Sequence, residues 1–188
     1  MKDTDFEEVT LTRQSIFKGK IIDVVLDEVR LPSGEMGTRE LVFHQGAVGI
    51  VPLTEDERLV LVRQFRKPLE KVMLEIPAGK LETTDSSHLA TAQRELEEET
   101  GFQATNWREL TEFASSPGFA NEILYLYEAT NLTKVNNPLP QDEDELIELV
   151  YLTLEEAKAA IKAGEIYDAK TIIAVQHWEL TRLRATSK

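Results

Sequence analysis

At 188 residues with a formal net charge of −13, the chain suits one domain plus a small extension, and nucleic acid is excluded as the expected partner because phosphate backbones are held mainly by Lys and Arg. Hydrophobic residues make up 41% and charged residues 29%, enough apolar surface for a packed core, while no apolar run approaches the roughly 20 residues that span a bilayer. The absence of cysteine excludes disulfides and thiolate chemistry, and the opening MKDTDFEEVTLTRQ lacks the basic-then-apolar layout of a secretory signal, so the cytoplasm is the expected compartment.

In chain order, residues 10–45 read as a small β unit. TRQSIF (12–17) leads into the β-prone run 21–31, Pro32-Ser33-Gly34 marks a turn, and 38–43 returns as a strand. A second set of strands is expected at 47–52, 59–65 and 72–76, the last ending at Pro77. The clearest helix covers about 87–100, with Ser86 or Ser87 as its cap and Gly101 at the position where helices favour glycine. Strands are expected at 107–114, 123–129 and 146–152, and helices at 154–163 and 168–183 with Gly164 between them. A polar loop over 131–145 carries the acid run Asp142-Glu143-Asp144-Glu145. This order predicts an α/β or α+β fold.

Chemistry concentrates in GKLETTDSSHLATAQRELEEETGF, residues 79–102. At about 100° per residue, Glu95, Glu98 and Glu99 fall within an arc of roughly 100° on the helix, beside an apolar arc of Leu89, Ala92 and Leu96. Carboxylates spaced three and four residues apart repel unless a cation sits among them. Clustered hard oxygens of this kind suit Mg²⁺ or Mn²⁺. A solvated acidic face is the competing explanation for any Glu-rich helix. The frame argues against it here: Pro77-Ala78-Gly79 precedes the helix, Arg94 stands beside the glutamates, and Gly101 follows.

The run Arg94-Glu95-Leu96-Glu97-Glu98-Glu99-Thr100-Gly101-Phe102 resembles the second half of the Nudix box without a mismatch. The first half departs from that pattern: Asp85 stands where the family has Glu, with eight residues rather than seven before Arg94. The resemblance implies a mixed β-sheet sandwiched between helices, with residues 46–188 as a hydrolase domain and 1–45 as an antiparallel β unit through which the chain forms a homodimer. It assigns divalent metal to Glu95, Glu98 and Glu99, helped by the Ala78 carbonyl. Arg94 orients these carboxylates, and Glu82 is the candidate to replace the missing first glutamate.

Features outside the box resemble the ADP-ribose pyrophosphatase subclass: VRQFRKP (62–68) before LEIPAGK (74–80), Pro117-Gly118 beyond the box, and the acid run 142–145. They imply a nucleoside diphosphate sugar as the small-molecule partner, with Arg39, Glu40, Arg63, Arg66, Pro117 and Gly118 as substrate contacts. Arg63 and Arg66 could instead pair with Glu70 or Glu75, and Phe17 and Phe119 could stack on adenine or pack in the core. Glu143 or Glu145 is the candidate general base, with Glu98 as the fallback. The expected reaction is Mg²⁺-dependent hydrolysis of ADP-ribose to AMP and ribose 5-phosphate. Another nucleoside diphosphate sugar, a dinucleotide, or a non-catalytic nucleotide-sugar sensor are the alternatives.

Overall fold

The computed structural model describes residues 1–141 and 146–186, and the fold is mixed α+β, as expected from the sequence. Its strands are β1 (Val9–Lys18), β2 (Ile22–Arg30), β3 (Met36–His44), β4 (Ala47–Pro52), β5 (Leu59–Arg66), β6 (Lys71–Glu75), β7 (Ala78–Lys80), β8 (Phe102–Ala114), β9 (Ile123–Lys134) and β10 (Glu148–Leu152). Its α-helices are α1 (His88–Thr100), α2 (Leu154–Ala163) and α3 (Ala169–Thr186).

The chain divides into two compact units. The first, Met1–Gly46 with Ala114–Ile123, is built on the antiparallel sheet β1-β2-β3. All ten residues of β1 are exposed. On the central strand Val25, Asp27 and Val29 alternate into one buried face, following the period of two. Asp27 is tolerated there because Arg13 grips it through two hydrogen bonds of 2.8 and 2.7 Å. The segment 114–123 joins this unit through Val42, whose amide donates to the Phe119 carbonyl and whose carbonyl accepts from Asn121.

The second unit, Ala47–Phe113 with Leu124–Lys188, contains two sheets, ordered β10-β5-β6 and β7-β4-β9-β8. Strand β4 is AVGIVP, parallel to β9 and antiparallel to β7. Both of its faces are buried, which is why it reads as an unbroken apolar run. Val48 and Ile50 pack with Ala92 and Leu96 of α1. Val51 joins Leu61, Ile76, Leu126 and Trp178 in the larger core beneath α2 and α3. Helix α2 opens with a capping box, Thr153 accepting the Glu156 amide while Glu156 accepts the Thr153 amide. It stops at Gly164, whose left-handed φ of 75° a side chain would resist.

The strands that differ most from the sequence expectation are β7, β8 and β9. β7 is only three residues long and exists because β4 offers it an edge. β8 begins at Phe102 and β9 continues to Lys134, because sheet pairing carries strand geometry through Gln103, Thr105, Asn131 and Thr133, which have weak apolar alternation of their own.

Candidate active site

Helix α1 is defined at both ends. Ser87 accepts the Ala90 amide at 3.1 Å, satisfying one of the unpaired donors of the first turn. Gly101, with φ of 69°, returns its amide to the Glu97 carbonyl. Thr91, Ala92, Leu96, Glu99 and Thr100 are buried, so the helix turns its apolar stripe and one of its glutamates inward together. Glu97 points elsewhere. Its carboxylate accepts from Gln103 at 2.7 Å and from the Leu139 amide at 3.1 Å, tying the helix to the chain beyond it.

The short strand β7 brings backbone against this glutamate edge. The Ala78 amide donates to Glu99 at 3.0 Å, and the Glu95 carboxyl lies where a side chain on Gly79 would have to be. Only glycine permits that approach. Arg94 Nη1 lies 2.8 Å from Glu95 and 2.7 Å from Glu98, so one guanidinium holds two carboxylates of like charge together. Burial pushes the Arg94 pKa down, but Glu95, Glu98 and Asp85 outweigh it and raise the value above that of a free arginine.

The supporting acid is Asp85, and Glu82 does not take that place. One oxygen of Asp85 accepts from the Glu82 amide at 3.0 Å, Thr91 Oγ1 at 2.8 Å and Arg94 Nη2 at 3.5 Å, whereas the Glu82 carboxylate accepts from Thr84. Burial raises the Asp85 pKa, but the Glu82 amide, Thr91 and Arg94 together hold it below the usual carboxylate range. A turn closed by Asp85 N–H on the Glu82 carbonyl presents Asp85 to Arg94, and the extra residue lies after it, between Asp85 and Arg94.

The donor set fits a hard divalent cation. Glu95, Glu98 and Glu99 offer only carboxylate oxygens, share one helix edge, and are at most 23% exposed where their ion pairs are measured or fully buried in the case of Glu99. Among the described residues, no three acidic or histidine side chains converge as they would around a bound ion. The positive charge among Glu95 and Glu98 is that of Arg94.

The sequence profile described as "NUDIX domain" matches residues 43–173, which span β7, α1 and the strands around them. The chain belongs to the NUDIX domain family. It is 44% identical to the ADP-ribose pyrophosphatase of Bacillus subtilis (strain 168) over 93% of this chain and 94% of that protein. It is 49% identical to the methanol dehydrogenase activator of Bacillus methanolicus, over the same shares. A crystal structure of an ADP compounds hydrolase superposes with a TM-score of 0.83 at 21% identity, covering 96% of both chains. The resemblance to the ADP-ribose pyrophosphatase subclass and the reading as a Nudix pyrophosphohydrolase are borne out by these relatives.

The remaining expected residues of the Nudix site fall into three groups. Arg63 and Arg66 lie on β5, and both are ion-paired. Arg63 meets Glu148 at 3.2 Å. Arg66 meets Glu75 through Nε and Nη2 at 2.8 and 2.9 Å. Arg39, Glu40, Pro117 and Gly118 belong to the other compact unit, where Arg39 pairs with Glu8, Glu40 lies across from Leu26 in the sheet and Pro117-Gly118 forms a turn in which Phe119 and Ala120 donate to the Ser116 carbonyl. Phe17 and Phe119 are exposed rather than packed in the core. Glu143 and Glu145 lie outside the described residues.

Sequence reasoning offered Glu75 as a partner for Arg66 and missed its second cation, Lys170. Lys170 and Arg66 both donate to it, Asp168 holds Lys170 at 3.0 Å, and Thr171 Oγ1 accepts the neighbouring Ile76 amide at 2.9 Å. No local signal points to a contact across 95 positions. A lone lysine in the first turn of a helix, where acids are favoured, was the one anomaly on view.

Proposed function

We propose that this Nudix chain hydrolyses the diphosphate bond of ADP-ribose with Mg²⁺, giving AMP and ribose 5-phosphate. The observation that carries the reading is the carboxylate edge of α1 docked on Ala78-Gly79, with Glu99 on the Ala78 amide and Glu95 fitted against Gly79. The printed activity of the 44% identical relative supports the choice of substrate. Glu95, Glu98, Glu99 and the Ala78 carbonyl would hold the ion. When bound, a divalent cation supplies neutralisation of the diphosphate oxygens and a lower pKa for a coordinated water. Arg94, fixed by Asp85, keeps Glu95 and Glu98 in register, and Arg66, held on Glu75 by its Nε–Nη2 edge, contributes its positive charge beside a phosphate oxygen. Glu143 or Glu145 accepts the proton of the attacking water, with Glu98 as the alternative acceptor. Arg63, Arg39, Glu40, Pro117 and Gly118 are carried as substrate contacts on the resemblance, and the cytoplasm as the compartment on composition.

We further infer a homodimer through the first unit. Strand β1 is an edge strand exposed along its whole length, with Val9, Leu11, Ile16 and Phe17 open. An apolar, unpaired edge invites strand addition.

The deciding experiment measures hydrolysis of ADP-ribose, NADH, GDP-mannose, UDP-glucose and diadenosine polyphosphates against Mg²⁺ and Mn²⁺ concentration, with products identified by mass. ADP-ribose should be the best substrate, and E99Q should lower kcat by about 10² or more without loss of fold, the scale expected when a group acting in the transition state is removed. Near-wild-type turnover by E99Q, or no turnover without a different substrate, refutes the reading. The 49% identical relative favours a second one, in which the chain activates a dehydrogenase; adding it to a dehydrogenase assay with and without E99Q separates the two.

A further inference from the structure

We propose that Lys170 is a positioning residue for Arg66: through the Glu75 carboxylate that both cations share, the start of α3 fixes the orientation of the guanidinium. The inference rests on the reading of Arg66 as a substrate contact.

The geometry begins at Glu75, whose side chain is only 3% exposed. Burial pushes its pKa up, but Arg66 and Lys170 outweigh that and hold it below the ordinary range, so it is an anion. Arg66 alone could neutralise it, through two hydrogen bonds. The second cation is therefore surplus to the pair. It brings a need for its own counter-ion, which Asp168 meets at 3.0 Å. Arg66 and Lys170 against Glu75 and Asp168 sum to zero. Such buried ionic clusters add little stability over apolar packing, so geometric definition is the better account of why one is built.

What Lys170 defines is a rotation. The terminal torsion of a glutamate is broad, and a bidentate Arg–Glu pair can swing about it as one plane. Lys170 donates to Oε2, the same oxygen that accepts from Arg66 Nη2, and so pins that plane. The ammonium is itself located twice. Asp168 Oδ1 accepts both Lys170 and the Thr171 amide, and buried Thr171 accepts the Ile76 amide, so the first turn of α3 is keyed to Glu75 at the end of β6 and to Ile76 directly after it. Arg66, with its Nε–Nη2 edge held and its side chain 36% exposed, then keeps one orientation. That is what preorganised recognition of a phosphate requires.

The test is steady-state hydrolysis of ADP-ribose at saturating Mg²⁺ by K170M, K170R, R66A and the K170M/R66A double variant. If Lys170 acts through Arg66, K170M raises KM by about fivefold or more with kcat within about threefold, K170R returns KM to within about twofold, and K170M adds nothing once Arg66 is gone. A normal KM in K170M beside a raised KM in R66A overturns the proposal. So does a K170M effect of equal size in the R66A background, which would make it independent of Arg66. A normal KM in R66A is a different failure: it removes Arg66 from the substrate site and the proposal falls with that reading. If near-UV circular dichroism shows K170M unfolded, D168N, which unanchors Lys170 while leaving its charge, is judged on the same thresholds.

Discussion

Replacing Gly79 with alanine tests the geometry of the glutamate edge without touching a single carboxylate. The backbone of Gly79 has no positive φ, so alanine is conformationally acceptable there. The obstacle is the Glu95 carboxyl, whose Cγ, Cδ and Oε1 a Cβ would overlap. Glu95 Cδ would lie 1.8 Å from that Cβ, so restoring an ordinary contact of about 3.5–4.0 Å makes the carboxyl retreat by roughly 2 Å. The retreating group is the far end of a flexible side chain, so the fold should survive: melting should shift by no more than about 2–4 °C, the equivalent of roughly 1 kcal/mol in a chain of this length. Chemistry should suffer far more, since displacing a reacting or metal-holding group by about 1 Å costs on the order of 10²-fold. The same movement breaks the 2.8 Å contact with Arg94. G79A should therefore lose about 10²-fold in kcat with ADP-ribose at saturating Mg²⁺, while its melting curve stays cooperative. A kcat within about threefold of wild type would show that Glu95 does not work from the position it holds against β7.

Two further outcomes follow from charges and edges. E75Q leaves Arg66 and Lys170 facing a neutral amide and should cost about 3–5 kcal/mol at pH 7, the usual loss when one partner of a buried pair is removed. Because the folded carboxyl titrates below its ordinary range, its contribution is complete above the unfolded glutamate value of about 4.3 and is lost as pH falls through the lower folded value. Urea midpoints of wild type and E75Q should therefore converge on acidification below about pH 4, and equal midpoints at pH 7 would remove Glu75 from the stability argument. For the dimer, sedimentation should give a mass of two chains, and placing lysines at Val9 and Leu11 on the exposed strand should yield monomers that still fold. A wild-type chain that sediments as a monomer at micromolar concentration contradicts the interface.

The parts of the molecule legible in the sequence were those encoded locally. Helix α1 announced itself through a serine cap at 86 or 87, the Leu89-Ala92-Leu96 stripe and Gly101, and the structure uses Ser87 and gives the others the expected place. Strand β4 was legible because burial on both faces leaves an unbroken apolar run. Strand β7 was not, because three residues hold strand form only through their pairing to β4. Asp85 shows the limit of matching by spacing: its chemistry follows from a turn that only the folded backbone reveals. Lys170 and Glu75 show another, since nothing near residue 75 in the chain announces a partner at the start of α3.

The segment 75–79 and the turn that follows it differ in how much change of length they could absorb. From Glu75 to Gly79, five successive residues each answer to a different neighbour: Arg66 and Lys170, Thr171, Ile50, Glu99, and Glu95. Adding or removing one residue would put every later partner out of phase, as a slipped tooth does in a gear train. Between Glu82 and Asp85 the chain is held by a turn that closes on itself, and the stretch from Asp85 to Arg94 just after it already carries one residue more than the common pattern. Insertions meant to reshape this protein belong just after that turn, and the five residues before it set the length that has to be kept.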